Sequence, residues 1–155
     1  MALGRYLADK SAFEQQRHSD AAAGLLAALA ADGALFMTEI VALELLYSAR
    51  SSDDYGTRRE DLLSLPWLHL TQAVAARALA IQQELAGRGQ HRRPIPDLLV
   101  AATALEHDAV VLHYDRDFDL IAEVTGLSAR WIIPCLLYTS PSPRDISGSR
   151  MPSSA

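Results

Sequence analysis

Short apolar segments of strand length alternate with longer segments of helix length along most of this 155-residue chain. The predicted strands lie at residues 5–8, 35–37, 67–70, 110–113 and 130–133. The predicted helices lie at residues 11–17, 20–31, 39–50, 55–64, 71–86, 97–107 and 115–123. Because alternating strands and helices are joined by crossover connections, neighbouring strands are expected to be parallel. We therefore predict one α/β domain with a central, mostly parallel sheet.

Two helix starts are marked by particular residues. Asp20 precedes an alanine-rich segment and is predicted to be the N-cap of the helix over residues 20–31. Pro94 and Pro96 exclude a regular helix around them, so residues 88–96 are predicted to form a basic loop and the next helix to begin at Asp97.

The composition changes abruptly after Pro134. Residues 135–155 are rich in Ser and Pro and lack periodicity, which is typical of a disordered tail. Residues 135–145 and 149–155 also back-translate to DNA that resembles a tagmentation sequencing adapter. We therefore predict that this tail is translated adapter, that the natural chain is cut near Pro134, and that the domain comprises residues 1–134.

Charge and hydropathy limit the classes of protein to consider. No apolar segment reaches the roughly 18 residues of a membrane span, and the N-terminal segment lacks the apolar stretch of a signal peptide. We expect a cytoplasmic protein with no membrane association. The formal net charge of −5 is unusual for a protein that binds RNA. It is compatible with RNA binding if several acids surround a bound cation, because the cation reverses the local charge.

Acidic residues follow two of the predicted strands. Asp9 comes directly after the strand at 5–8, Asp115 comes shortly after the strand at 110–113, and Asp117 is close by. Ligands of open parallel sheets bind beyond the carboxyl ends of the strands, so these acids are expected to share one edge. Asp97 stands at a predicted helix start, where the helix dipole alone would favour an acid.

Glu44 lies on a strongly apolar helical segment. Its neighbours one turn away are Ile40, Val41, Tyr47 and Ser48. A carboxylate in such surroundings needs a partner, because an unpaired buried charge is costly. That partner is either an arginine or hydroxyl, or a cation. Mg²⁺ and Mn²⁺ prefer oxygen ligands, and a carboxylate cluster that binds them can hydrolyse phosphodiesters.

Four segments, at residues 6–12, 38–50, 95–102 and 113–118, read YLADKSA, TEIVALELLYSAR, IPDLLVAA and HYDRDF. They resemble the motifs of PIN-domain nucleases, in particular the VapC toxins of type II toxin–antitoxin pairs. Their order and spacing match, and the similarity covers essentially all of residues 1–134. Lys10 and His113 depart from the resemblance, since threonine is commoner at both positions. We expect His113 to be a structural residue at the end of its strand.

The resemblance implies a PIN-like three-layer α/β/α sandwich, Mg²⁺- or Mn²⁺-dependent endoribonuclease activity, a homodimer and a VapB-like antitoxin. It also implies an acidic quartet that is both catalytic and metal-binding, with a further acid as an additional ligand. The quartet comprises Asp9, Glu44, Asp97 and Asp115, and the further acid is Asp117. The candidate RNA contacts are Ser11, Lys10, Arg88, Arg92 and Arg93. Residues 62–67 are expected to pack in the core or in a dimer interface.

Three other functions fit the sequence to different degrees. A PIN-domain nuclease of RNA processing would need no antitoxin and is equally compatible with the chain length. A catalytically inactive RNA-binding module is disfavoured, because it would have no reason to keep a carboxylate at Glu44. A haloacid dehalogenase-type phosphatase requires a paired Asp-x-Asp after its first strand, whereas Asp9 is followed by Lys10 and Ser11.

Overall fold

The computed structural model describes residues 4–134, so the predicted tail at residues 135–155 lies outside the described residues. The strands are β1 (Tyr6–Ala8), β2 (Leu35–Phe36), β3 (Val110–His113) and β4 (Ala129–Trp131). The helices are α1 (Lys10–Gln15), α2 (Asp20–Ala31), α3 (Glu39–Tyr47), α4 (Ser52–Leu63), α5 (Gln72–Ala86), α6 (Ile95–Glu106) and α7 (Asp117–Thr125).

The four strands form one sheet in the order β2-β1-β3-β4, and every pairing is parallel. The two central strands, β1 and β3, pair over Tyr6 to Ala8. The backbone N–H of Asp9 extends this pairing by donating to the carbonyl of Leu112 at 2.8 Å. The α/β class and the parallel sheet predicted from the sequence are therefore confirmed.

Successive strand residues enter two separate cores, because side chains alternate between the faces of a sheet. Leu7 of β1 and Val111 of β3 belong to a core that includes buried residues of α3, α5 and α6. Ala8 and Leu112 instead belong to a smaller core with buried residues of α1 and α2. Helices thus cover both faces, which gives the three-layer α/β/α sandwich that the resemblance implied.

The predicted strand at residues 67–70 is wrong in extent. It is reduced to an isolated parallel bridge between Met37 and Trp67 beside β2. The N–H of Leu68 donates to the carbonyl of Met37 at 2.8 Å, but the N–H of Leu70 donates to a carboxylate oxygen of Glu39 at 2.8 Å. This bond to a side chain takes the segment away from the sheet edge and prevents a longer strand.

The predicted bounds of α2 are confirmed, but its predicted N-cap and the predicted start of α6 require correction. Ser19, rather than Asp20, is the N-cap of α2, because its hydroxyl accepts the N–H of Ala22 at 3.1 Å. Helix α6 begins before Asp97, with Pro94 as its N-cap and Pro96 in its first turn. Proline is tolerated there because the first N–H groups of a helix have no partner within the helix.

No helix within residues 4–134 is both long enough and apolar enough to cross a lipid bilayer. The helices pack instead against the sheet and one another, with α5 lying against both α6 and α7.

Helix α5 offers a matched pair of aliphatic side chains for a stability test. Ile81 is buried in the larger core, whereas Leu79 is 70% exposed two residues earlier. We expect Ile81→Ala to lower the free energy of unfolding by about 2–5 kcal/mol, because it leaves a cavity. Leu79→Ala should change it by less than about 0.5 kcal/mol. Urea denaturation followed by circular dichroism measures both, and equal losses would contradict the packing described for α5.

Candidate metal centre

Asp9 and Ser11 join the ends of the two central strands. Asp9 follows β1 and caps helix α1, with one carboxylate oxygen accepting the N–H of Ser11 at 3.0 Å and its hydroxyl at 2.7 Å. The same hydroxyl oxygen accepts the N–H of Tyr114, just after β3, at 2.9 Å. Ser11 therefore fixes the Asp9 carboxylate at the carboxyl edge of the sheet.

Three further acids come together at this edge. Asp97, Asp115 and Asp117 each offer a carboxylate oxygen, and these oxygens all lie within 4.8 Å of one another. Asp97 comes from the first turn of α6, whereas Asp115 lies in the turn between β3 and α7. The N–H of Asp117 donates to a carboxylate oxygen of Asp115 at 3.0 Å. The structure thus brings together acids that are far apart in sequence.

Burial and neighbouring negative charges strongly destabilise the ionised form of Asp97. Burial, and then the negative charges of nearby acids, raise its pKa to about 8. The acids that contribute are Asp9, Asp115, Asp117 and Glu44. The other four predicted acids therefore all act on the carboxyl group of Asp97, and the five acids together come from four separate segments of the chain.

Glu44 approaches the group from α3. Burial, and then the charge of Asp9, raises its pKa, while Lys10 opposes the shift. One of its carboxylate oxygens is buried and has no hydrogen-bond partner within residues 4–134. From the sequence, the partner of Glu44 could be an arginine or hydroxyl, or a cation. The structure shows no such hydrogen bond to that oxygen in the described part of the chain.

Buried carboxylate oxygens that lack hydrogen-bond donors indicate whether the site suits a divalent cation. Within the described residues, Asp9 Oδ1, Glu44 Oε1 and Asp97 Oδ2 are buried and lack hydrogen-bond donors. Leaving a buried carboxylate oxygen without a donor is costly, and a cation with oxygen ligands removes that cost. The donor set therefore fits Mg²⁺ or Mn²⁺.

His113 supports the site without facing substrate. Its side chain is fully buried, and its ring packs between those of Phe118 and Trp131, with ring centres 5.1 Å and 4.9 Å away. Burial lowers its pKa to about 4, so the imidazole is neutral near pH 7. Its Nδ1 accepts the N–H of Asp115 at 3.2 Å. His113 thus holds the backbone that presents Asp115.

The candidate RNA-contacting cations lie in different settings. Arg93 donates to Asp117 at 2.6 Å and is only 24% exposed, which the sequence did not reveal. Arg88 lies 3.9 Å from Glu123, and Lys10 lies 3.7 Å from Glu14 on the same helix. Arg92 is exposed on the loop before α6. Only Arg93 of this set is thus tied directly to one of the five acids.

Carboxylates that converge beyond the strands of a parallel sheet, with buried oxygens that lack donors within residues 4–134, define an α/β protein with a candidate acidic metal centre. The PIN domain family model matches residues 10–124, which include all of these acids except Asp9. Ribonuclease VapC51 of Mycobacterium tuberculosis is 44% identical over 134 residues, covering 86% of this chain and 96% of that protein. The chain belongs to the PIN-domain family and, within it, to the VapC proteins.

Further comparisons agree with this assignment. Ribonuclease VapC21 of Mycobacterium tuberculosis is 40% identical over 133 residues, which cover 83% of this chain and 94% of the relative. The solved structure of DNA-bound VapBC from Salmonella typhimurium has a TM-score of 0.68 at 18% identity. That match covers 84% of this chain and 100% of the solved chain, and it supports the fold.

The raised pKa of Asp97 predicts how metal-free protein responds to pH. This carboxyl ionises near 3.8 in an unfolded chain but at about 8 in the fold. Between these values the folded state binds more protons, so stability falls as pH rises. We expect the Tm of chelator-treated protein to fall between about pH 5 and about pH 8. In Asp97→Asn the decrease should be smaller, and the variant should melt several degrees higher at the upper pH.

The control for this measurement is Asp32→Asn, at an exposed position after α2. Its melting curve should follow that of the wild type at every pH. If Asp97→Asn also followed the wild type, the electrostatic strain assigned to Asp97 would be wrong.

Proposed function

We propose that this chain is an Mg²⁺- or Mn²⁺-dependent endoribonuclease and the toxin of a VapBC-type toxin–antitoxin pair. The observation that carries the proposal is the acidic group, in which three buried carboxylate oxygens have no donor among residues 4–134. Two relatives of similar length that carry the name ribonuclease support RNA as the substrate. We take residues 1–134 as the functional domain and the cytoplasm as its location.

In this proposal the acidic group holds the cation and is catalytic. The quartet of ligands is Asp9, Glu44, Asp97 and Asp115, with Asp117 as an additional ligand. A divalent cation, when bound, lowers the pKa of a water molecule and offsets charge that develops on the phosphate. The N–H and hydroxyl of Ser11 satisfy one oxygen of Asp9 and leave the other, Oδ1, for the cation.

The remaining side chains position the acids or attract RNA. His113 and the N–H of Asp117 orient Asp115 from its backbone and side chain respectively. Lys10, Ser11 and the exposed Arg88 and Arg92 are the proposed contacts to RNA phosphates, since cations attract the RNA backbone. Arg93 was predicted to share this task, but its bond to Asp117 gives it a position within the acidic site.

We further propose a homodimer that uses the outer faces of α3 and α4. Leu43, Tyr47 and Leu63 are exposed there, and Leu43 and Leu63 line a groove that also includes Trp67. Within residues 62–67, Leu62, Leu65 and Trp67 pack against the larger core. Leu63 is half exposed, so it is the member of this segment that a second copy would cover.

A VapB-like antitoxin is the proposed partner of the pair. Several solved structures of similar fold are described as VapBC complexes or toxin–antitoxin complexes. The main alternative is an RNA-processing nuclease without an antitoxin, and the other is an inactive RNA-binding module. A neighbouring reading frame for a small DNA-binding protein favours the toxin, whereas metal-dependent cleavage excludes the inactive module.

Substitution of the acids tests the nuclease. Asp9→Asn and Asp97→Asn should each reduce Mg²⁺-dependent cleavage of structured RNA by about 100-fold or more, because a catalytic cation supplies several kcal/mol of stabilisation. A chelator should abolish wild-type cleavage, and Asp32→Asn should cleave normally. Cleavage is measured by gel electrophoresis of end-labelled RNA. Full activity of either acidic-site variant would refute the proposed mechanism.

Induction in bacteria tests the toxin. We expect residues 1–134 to arrest growth within a few generations, and Asp97→Asn to leave growth normal, because arrest requires cleavage. Co-expression of the neighbouring gene should restore growth, and mapping of RNA ends identifies the target. Cleavage by the purified protein without any growth arrest would favour the RNA-processing nuclease.

A further inference from the structure

Arg93 forms an ion pair inside the acidic site. Its Nη1 donates to Asp117 Oδ1 at 2.6 Å, and the two side chains are 24% and 22% exposed. Asp117 is also one of the three acids whose carboxylate oxygens lie within 4.8 Å of one another. The guanidinium therefore contacts a carboxylate at the position where a divalent cation would be held.

The backbone restricts how far Arg93 can move. Pro94 follows it directly and serves as the N-cap of α6, and its carbonyl accepts the N–H of Asp97 at 3.1 Å. One short segment thus presents both Asp97 and the cation that pairs with Asp117. Arg93 Nε is buried and has no hydrogen-bond partner within residues 4–134, so the guanidinium lies partly out of water.

The positive charge of Arg93 matters because the surrounding site is acidic and would attract a divalent cation. The ion pair between Arg93 and Asp117 places a positive charge directly against a member of the acidic group. A fixed positive charge beside a carboxylate repels a divalent cation and competes with it for that carboxylate. Partial burial strengthens both effects, because water screens the charges less.

We infer that Arg93 is the resident counter-cation of the acidic site: it partly neutralises Asp117 and thereby weakens the binding of a divalent ion. This inference rests on the proposed metal centre. In this role Arg93 is a positioning residue that acts through Asp117 and sets the affinity for the ion. This role differs from that of a solvated loop residue that contacts RNA. Removing its charge should consequently make the protein bind the ion more tightly.

Titration calorimetry with MnCl₂ on the full chain, at one pH and without RNA, tests the inference. Arg93→Gln keeps a hydrogen-bond donor but removes the charge, so it should bind Mn²⁺ about tenfold more tightly than the wild type. Arg93→Lys keeps the charge and should remain within about threefold. Arg130→Gln removes the same charge from an exposed side chain on β4 and should leave Mn²⁺ affinity unchanged.

The outcomes separate this inference from the proposed function. If the wild type binds Mn²⁺ and Asp97→Asn does not, the metal centre stands, and unchanged or weaker binding by Arg93→Gln overturns the role of Arg93 alone. If the wild type does not bind Mn²⁺, both proposals fail. Equal tightening by Arg93→Gln and Arg130→Gln would also overturn the inference, because the effect would then depend on net charge. If Arg93→Gln does not fold, Arg93→Met carries the same expectation.

Discussion

Mutual repulsion among carboxylates gathered at one edge of the sheet is the constraint on which the rest of this structure depends. The parallel arrangement ends β1 and β3 at the same edge, and α3 and α6 add Glu44 and Asp97 to it. The pKa of Asp97, raised to about 8, records how strongly burial and neighbouring charges act there. The fold tolerates this repulsion because local donors, namely the hydroxyl of Ser11, the N–H of Asp117 and the guanidinium of Arg93, each satisfy one carboxylate oxygen.

Much of the fold follows from the sequence because strands and helices leave periodic signals. The alternation of apolar segments predicted the parallel sheet, and the segment at 110–113 matches β3 in extent. Asp9 and Asp115 could be placed at one edge for the same reason. Glu44 could be singled out because its neighbours on the helix are mostly apolar, and one of its buried oxygens has no donor in the described part of the chain. Asp97 carries no such signal, since any helix start favours an acid, and it depended on the family resemblance.

Other features of the site arise from contacts between distant segments, which sequence patterns do not encode. The pair of Arg93 with Asp117 spans 24 positions, and neither residue differs from an ordinary solvated charge when read alone. Asp117 did carry a local signal, because an acid two residues before it can accept its N–H in a turn. At residues 67–70 the sequence pattern predicted more regular structure than forms. These residues suit a strand, but the N–H of Leu70 donates to the carboxylate of Glu39 instead of extending the sheet.

The brevity of the strands has a consequence for how such a chain can change over time. β1 has three residues and β3 has four, and consecutive residues of each strand already serve opposite cores. Deleting one residue from β1 would exchange the two faces, so that Leu7 would meet the smaller core and Asp9 would turn away from Asp115. Insertions and deletions are therefore better tolerated in connections outside the strands, such as the turn around Gly33, which leads into β2 at the edge opposite the acids.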